Sequence, residues 1–91
     1  MSRIYIEKNH NLSEPELRST AEDIGKQLVS RHGGSMCWEG DKLHYSLPGT
    51  ADAFVEWDSS VVIVNVKLSL MAALLKPILQ SEIERQLNKH I

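Results

Sequence analysis

The chain has 91 residues, a formal net charge of −2, 42% hydrophobic residues and 24% charged residues, so it is long enough for one domain, spanning residues 1–91, with one core. Its ten Lys and Arg residues are scattered along the chain, and we therefore expect no nucleic-acid partner. A single cysteine, Cys37, excludes an internal disulfide and a cysteine-rich zinc site, and it favours a reducing, cytoplasmic location.

The first two elements are a strand and a helix. Residues 3–8 alternate between apolar and polar side chains, which predicts a strand. In the segment LSEPEL, Ser13 and Glu16 occupy the N-cap and N3 positions of a capping box, and apolar residues then recur at helical spacing. Two glycines, at positions 33 and 34, end this stripe. These signals predict a helix over residues 14–32.

A hairpin follows the helix. The hydrophobic period changes to two, and Gly40-Asp41 fits a type II′ turn, which has glycine first. This turn sets Trp38 opposite Leu43, so that the large apolar side chains of the hairpin share one face. Cys37 and His44 then lie opposite each other on the other face.

Two more strands and a second helix complete the chain. Turns at residues 48–50 and 58–60 separate the strands, and residues 69–91 predict an amphipathic helix that packs on the inner face of the sheet. A proline inside a helix costs about 3 kcal/mol, so either the main helix begins near Pro77 or a first turn kinks there. The apolar run at residues 68–79 contains polar residues and is too short to cross a bilayer, so we expect no transmembrane segment. The polar N-terminus predicts no signal peptide.

The expected fold is therefore an α+β domain of order β-α-β-β-β-β-α. Its antiparallel sheet, with the first strand beside the last, packs on a long C-terminal helix. The predicted core residues are Ile4, Ile6, Leu17, Ile24, Leu28, Trp38, Leu43, Tyr45, Val55, Trp57, Val62, Val64, Leu75, Leu79, Ile83 and Leu87.

Polar residues offer only weak candidates for chemistry. A nucleophilic Cys37 with His44 as its base needs a third residue to orient the base, and the sequence shows none. No two of the four histidines lie three to five residues apart, and a metal site made of Cys37 and His44 would lack two ligands. We expect no catalytic residue, no cofactor and no metal, with Cys37 and His44 as weak polar candidates.

Apolar residues offer a candidate interface with two parts. The outward face of the fourth and fifth strands carries Phe54, Val61 and Ile63, and Phe54 and Ile63 are placed to pair across the strands. This apolar patch is either an interaction surface or a surface that a helix covers. The segment LSLMAALLKPIL, which contains Met71 and Leu74, is either the entrance to a core helix or a surface that faces a lipid, a polymer or a second copy.

Several short motifs follow one another along the chain in an order that is typical of a known family. They are I-x-I at Ile4 and Ile6, H-x-L-S at residues 10–13, W-E-G-D-x-L at residues 38–43, Gly49, V-x-V-x-V-x-L at residues 62–68, and L-L-K-P-I-L-x-x-E-I-E at residues 74–84. This order resembles the small bacterial family of polyhydroxyalkanoic acid system proteins. The C-terminal helix is similar to the last helix of the helix-grip (START-like) fold, although only about five strands are present here.

The resemblance implies a link to polyhydroxyalkanoate storage loci and brings no catalytic residues with it. We expect a non-enzymatic accessory protein, cytoplasmic and associated with storage granules, that binds a hydrophobic surface, a lipid-like ligand or a protein partner, or forms a homodimer. The alternatives are a small helix-grip enzyme acting on a hydroxyacyl substrate, with His44, Tyr45 or Asp52 as acid or base in a cavity, and a structural subunit without a ligand.

Overall fold

A computed structural model of the chain describes residues 2–90, except for the side chains of Ser2, Met71 and His90. The elements are β1 (Ser2–Asn9), α1 (Glu14–His32), β2 (Ser35–Glu39), β3 (Lys42–Leu47), β4 (Ala51–Trp57), β5 (Val61–Leu68), a 3-10 turn (Met71–Leu75), which we call the entry turn, and α2 (Lys76–His90). The predicted α+β class and element order are confirmed.

The strands form one antiparallel sheet in the order β1-β5-β4-β3-β2, so the first strand pairs with the last as predicted. The hairpin register is also confirmed, because Trp38 lies opposite Leu43 and Cys37 lies opposite His44. Gly40 has a φ of 64°, which a type II′ turn requires at its first central position.

Helix α1 spans the predicted residues because its ends carry strong signals. The Ser13 hydroxyl accepts a hydrogen bond from the Glu16 backbone N–H at 3.4 Å, and the Glu16 carboxylate accepts one from the Ser13 backbone N–H at 3.1 Å. The bond from the Ser13 backbone N–H to this carboxylate, together with a bond that the Ser13 hydroxyl donates to it at 2.9 Å, lowers the pKa of Glu16. At the other end the Gly33 N–H donates to the Val29 carbonyl oxygen.

The first alternative for Pro77 is confirmed. Helix α2 begins at Lys76, so Pro77 lies in the first turn, where its missing N–H costs nothing. The entry turn before it is held by Ser69, whose side-chain oxygen accepts a hydrogen bond from the Ala72 N–H at 3.2 Å.

Both helices pack on the same face of the sheet, which we call the inner face. Helix α1 covers β2, β3 and β4, and α2 lies against β1 and α1. The likeness to a helix-grip fold stays a prediction. All predicted core residues belong to the core or pack against it, and four of them are half-buried: Ile6, Trp38, Trp57 and Leu75.

The two tryptophans are half-buried because each indole N–H reaches a carboxylate on α1. Trp38 donates to Glu22 at 3.3 Å, and Trp57 donates to Glu14 at 3.0 Å. The rings meet edge to face, with their centroids 6.0 Å apart. Both rings pack against the core.

Candidate functional site

The outer face of the sheet is the side away from both helices, and within residues 2–90 no helix covers it. Phe54, Val61 and Ile63 lie there and are half-buried. Phe54 lies opposite Asn65, and Ile63 lies opposite Glu56, so Phe54 and Ile63 are diagonal neighbours. The prediction that these two residues pair directly was wrong, because the turn after β4 sets Trp57 opposite Val62 and this register places Phe54 opposite Asn65.

The turn after β4 owes its register to one carboxylate. Asp58 accepts hydrogen bonds from the backbone N–H groups of Ser60 at 2.8 Å and Val61 at 2.9 Å. These two bonds lower the pKa of Asp58. His10 supports the same turn, because its Nδ1 accepts from the Leu12 N–H and its Nε2 therefore donates to the Asp58 carbonyl oxygen.

Charged side chains break up the outer apolar patch. Lys42 forms an ion pair with Glu56 at 3.2 Å, and its ammonium lies 6.0 Å from the centre of the Phe54 ring. Tyr5 donates a hydrogen bond to Glu7 at 2.6 Å, which raises the pKa of the Tyr5 hydroxyl. The outer face is therefore a mixed surface with small apolar areas between ion pairs.

His44 contacts an aromatic ring and two carboxylates on the outer face. Its ring stacks on Phe54, with the centroids 4.5 Å apart and the planes 2° from parallel. Its Nδ1 lies 3.1 Å from Glu39 Oε2, and its Nε2 lies 3.1 Å from Asp52 Oδ1. Cys37 lies opposite His44 on β2 and is exposed. The sequence predicted that Cys37 and His44 lie opposite each other, and the structure adds the carboxylates of Glu39 and Asp52 beside His44.

The alternative of a helix-grip enzyme needs an acid or base in a cavity. Tyr45 lies on the inner face, and its hydroxyl donates to the Gly33 carbonyl oxygen at 2.6 Å. Burial raises the pKa of this hydroxyl. His44 and Asp52 lie on the outer face, so the sheet separates them from Tyr45. The three residues do not form one acid–base site.

The W-E-G-D segment closes the turn end of the hairpin. Glu39 contacts His44 on the outer face, while Asp41 pairs with Arg18 of α1 at 2.9 Å. The Arg18 guanidinium also lies 4.9 Å from the centre of the Trp38 ring. The segment therefore ties β2 to α1 on one side and orients His44 on the other.

Among the described residues, the most exposed large aliphatic side chains lie at the start of the C-terminal helical segment. Leu70, Leu74 and Ile78 are 78%, 88% and 53% exposed. All three lie within one nine-residue segment that runs from the start of the entry turn into the first turn of α2, whereas Ala72 and Leu79 of the same segment are buried. We call these three residues the apolar ridge. Met71 begins the entry turn, but its side chain lies outside the described residues.

The segment LSLMAALLKPIL, which the sequence indicated as a candidate surface, contains all three ridge residues, but only Leu74 of the three was singled out. Which apolar side chains of that segment face water depends on how the entry turn and α2 pack, and the sequence pattern does not supply this. No helix among residues 2–90 has the length and apolar character needed to cross a membrane.

Comparison with known proteins agrees with the resemblance. The family described as "Putative polyhydroxyalkanoic acid system protein" matches this chain over residues 4–91. Searches of curated proteins and of solved structures found no match.

Proposed function

We propose that this chain, which belongs to the polyhydroxyalkanoic acid system protein family, is a non-enzymatic accessory protein that binds the hydrophobic surface of storage granules. The observation that carries the proposal is the apolar ridge of Leu70, Leu74 and Ile78, which leaves three large aliphatic side chains in water within one nine-residue segment. An exposed apolar surface of this kind marks an interaction site.

The ridge suits an extended surface better than a single small ligand. A small-molecule site is concave and encloses most of its ligand. The ridge instead projects from the entry turn and the first turn of α2, and Leu74 is its most exposed residue. A polyester or lipid surface is broad enough to cover all three side chains at once.

The strength of such binding follows from apolar burial. Covering one leucine or isoleucine side chain fully is worth about 1.5–3 kcal/mol. Three such side chains supply several kcal/mol, from which the cost of immobilising the protein must be subtracted. We therefore expect reversible binding of a single molecule to the granule surface.

The ridge is held by the domain rather than by its own contacts. The Ser69 N–H donates to the Thr50 carbonyl oxygen at 2.8 Å, and Ala72 is buried in the core on the opposite side of the turn. The leucines on the exposed side are therefore positioned before binding. Replacing the ridge residues with polar ones removes the exposed apolar surface and leaves the core residues unchanged.

A granule co-sedimentation assay tests the proposal. Purified protein is mixed with polyhydroxyalkanoate granules stripped of their own proteins, and the bound fraction of a Leu70→Ser/Leu74→Ser/Ile78→Ser variant is compared with that of the unsubstituted chain. We expect the variant to lose most of its binding. Its free energy of unfolding should stay within about 0.5 kcal/mol per substitution, because exposed positions tolerate change.

The matched control is Phe54→Ser/Ile63→Ser on the outer face. We expect this variant to bind granules normally, provided that circular dichroism shows it to be folded. Unchanged binding by the ridge variant, or loss of binding only in the outer-face control, contradicts the proposal. Light scattering on the same samples detects a homodimer, and a ridge variant that converts a dimer to a monomer would assign the ridge to a second copy of the chain instead.

A further inference from the structure

We propose that the outer face of the β2–β3 hairpin binds one Zn²⁺ ion through Cys37, Glu39 and His44. One ligand atom from each of these residues lies within 4.8 Å of the other two. The sequence alone placed Cys37 opposite His44, and the fold brings a third ligand beside them, because Glu39 follows Cys37 by two positions and shares its face. This inference does not depend on granule binding.

The distances fit a zinc ion with small side-chain movements. The Glu39 oxygen and the His44 Nδ1 are 3.1 Å apart. Nitrogen and oxygen ligands bonded to a tetrahedral zinc at about 2.0–2.1 Å are separated by about 3.3 Å. Cys37 is exposed, so its thiol is free to rotate towards these two atoms without moving the backbone.

The hairpin itself presents the three ligands together. Cys37 lies directly opposite His44, and side chains in such pairs have Cβ atoms about 4.5–5.5 Å apart. Glu39 pairs with Lys42 next to the turn and lies diagonal to His44. The type II′ turn and the apolar inner face fix this register, so the ligand positions are set by the fold.

The surroundings of His44 point to a cation at Nδ1. Carboxylate oxygens lie 3.1 Å from both ring nitrogens. A neutral imidazole has one N–H, so it donates to Asp52 or to Glu39 but not to both. A metal ion bound between Glu39 and His44 would take one lone pair from each of them.

Asp52 and Phe54 complete the arrangement as positioning residues. A histidine that binds a metal usually donates its other N–H to a carboxylate, which fixes the tautomer. Here Asp52 receives the Nε2–H, and the stacked Phe54 ring holds the imidazole plane. This leaves the Nδ1 lone pair directed towards Glu39 and Cys37.

The ligand set selects the class of metal. Thiolate, imidazole and carboxylate together suit Zn²⁺, whereas Mg²⁺ and Ca²⁺ prefer oxygen ligands alone. Three protein ligands leave the fourth coordination position for water.

Cobalt titration under a non-thiol reductant tests the proposal. With the full chain we expect a thiolate-to-cobalt charge-transfer band that saturates at one Co²⁺ per chain and disappears when Zn²⁺ is added. Cys37→Ser should lose the band, His44→Gln should weaken Zn²⁺ binding at least tenfold, and Asp52→Ala should weaken it about 10–100-fold.

His32→Gln is the matched control, because His32 pairs with Glu82 between the two helices, away from the hairpin. It should bind Co²⁺ and Zn²⁺ like the unsubstituted chain. Circular dichroism is used to check that each variant is folded. Absence of the band in the unsubstituted chain, or equal Zn²⁺ affinity in the unsubstituted chain and Cys37→Ser, overturns the proposal.

Discussion

Replacing Gly34 with alanine is expected to disrupt the pairing of β2 with β3, and Gly33→Ala is the matched control beside it. Both glycines have a positive φ, 88° at Gly34 and 81° at Gly33. A Cβ at Gly34 would collide with the Ser46 carbonyl oxygen and lie 3.3 Å from Leu47 Cα, whereas a Cβ at Gly33 meets nothing within 4 Å. The two variants therefore share backbone strain, and only one of them adds a clash.

The size of each effect follows from this difference. A non-glycine residue at such dihedral angles costs about 1–3 kcal/mol. The atoms that a Cβ at Gly34 would meet belong to the β3 backbone, which cannot retreat without breaking the pairing of Ser35 with Ser46. We expect Gly33→Ala to lower the free energy of unfolding by about 1–3 kcal/mol and Gly34→Ala by about 4 kcal/mol or more. A domain of this size has about 5–14 kcal/mol in total.

Urea denaturation followed by tryptophan fluorescence measures both values, because Trp38 lies on β2. The Co²⁺ titration described above gives a second readout, since a displaced β2 separates Cys37 from His44. Equal destabilisation by the two substitutions would refute the reasoning, because it would mean that the Ser46 backbone yields at little cost.

Three further outcomes are expected. Asn65→Val should raise the free energy of unfolding by about 1 kcal/mol, because Asn65 Oδ1 is buried without a hydrogen-bond partner, and urea midpoints check this. Tyr45→Phe should lower the free energy of unfolding by about 0.5–1.5 kcal/mol at neutral pH, because it loses the hydrogen bond to Gly33. Burial raises the pKa of Tyr45 in the folded chain, so the unsubstituted chain should lose stability above pH 10 more steeply than the variant. Asp58→Asn should make the free energy of unfolding depend less on pH in acid. The folded state lowers the pKa of Asp58, so its contribution to stability is complete above the ordinary value of 3.8 and disappears as the pH falls below it. Thermal melts between pH 6 and pH 2 would detect the difference.

Most of the fold could be predicted because independent local signals agreed. The capping box and the glycine pair bounded α1 at both ends, and the hairpin turn agreed with the alternation of Trp38 and Leu43. Each signal acts over a few residues, so these elements needed no long-range information. Short connections then gave the order of β2 to β5. The pairing of β1 with β5 joins segments that are far apart in the chain and does not follow from a short connection.

The candidate sites needed information that local patterns do not contain. The pairing of Phe54 depended on how many residues the turn after β4 uses, and the side-chain hydrogen bonds of Asp58 decide that number. Alternation alone places Cys37, Glu39, His44 and Asp52 on one face, so the sequence did hold a signal for the cluster. The distances between their ligand atoms depend on rotamers, which only coordinates supply.

Gly25 shows how the buried side of the hairpin controls the exposed side. A glycine inside a helix costs about 1 kcal/mol relative to alanine. Here a Cβ would lie 2.6 Å from Met36 Sδ and 2.9 Å from Leu43 Cδ2, so the bare backbone lets α1 press closely against the inner face of β2 and β3. Since Met36 neighbours Cys37 and Leu43 neighbours His44, the packing that holds the inner residues also fixes the strand positions that direct Cys37 and His44 outward. The placement of the proposed zinc ligands therefore depends on the core as much as on the surface.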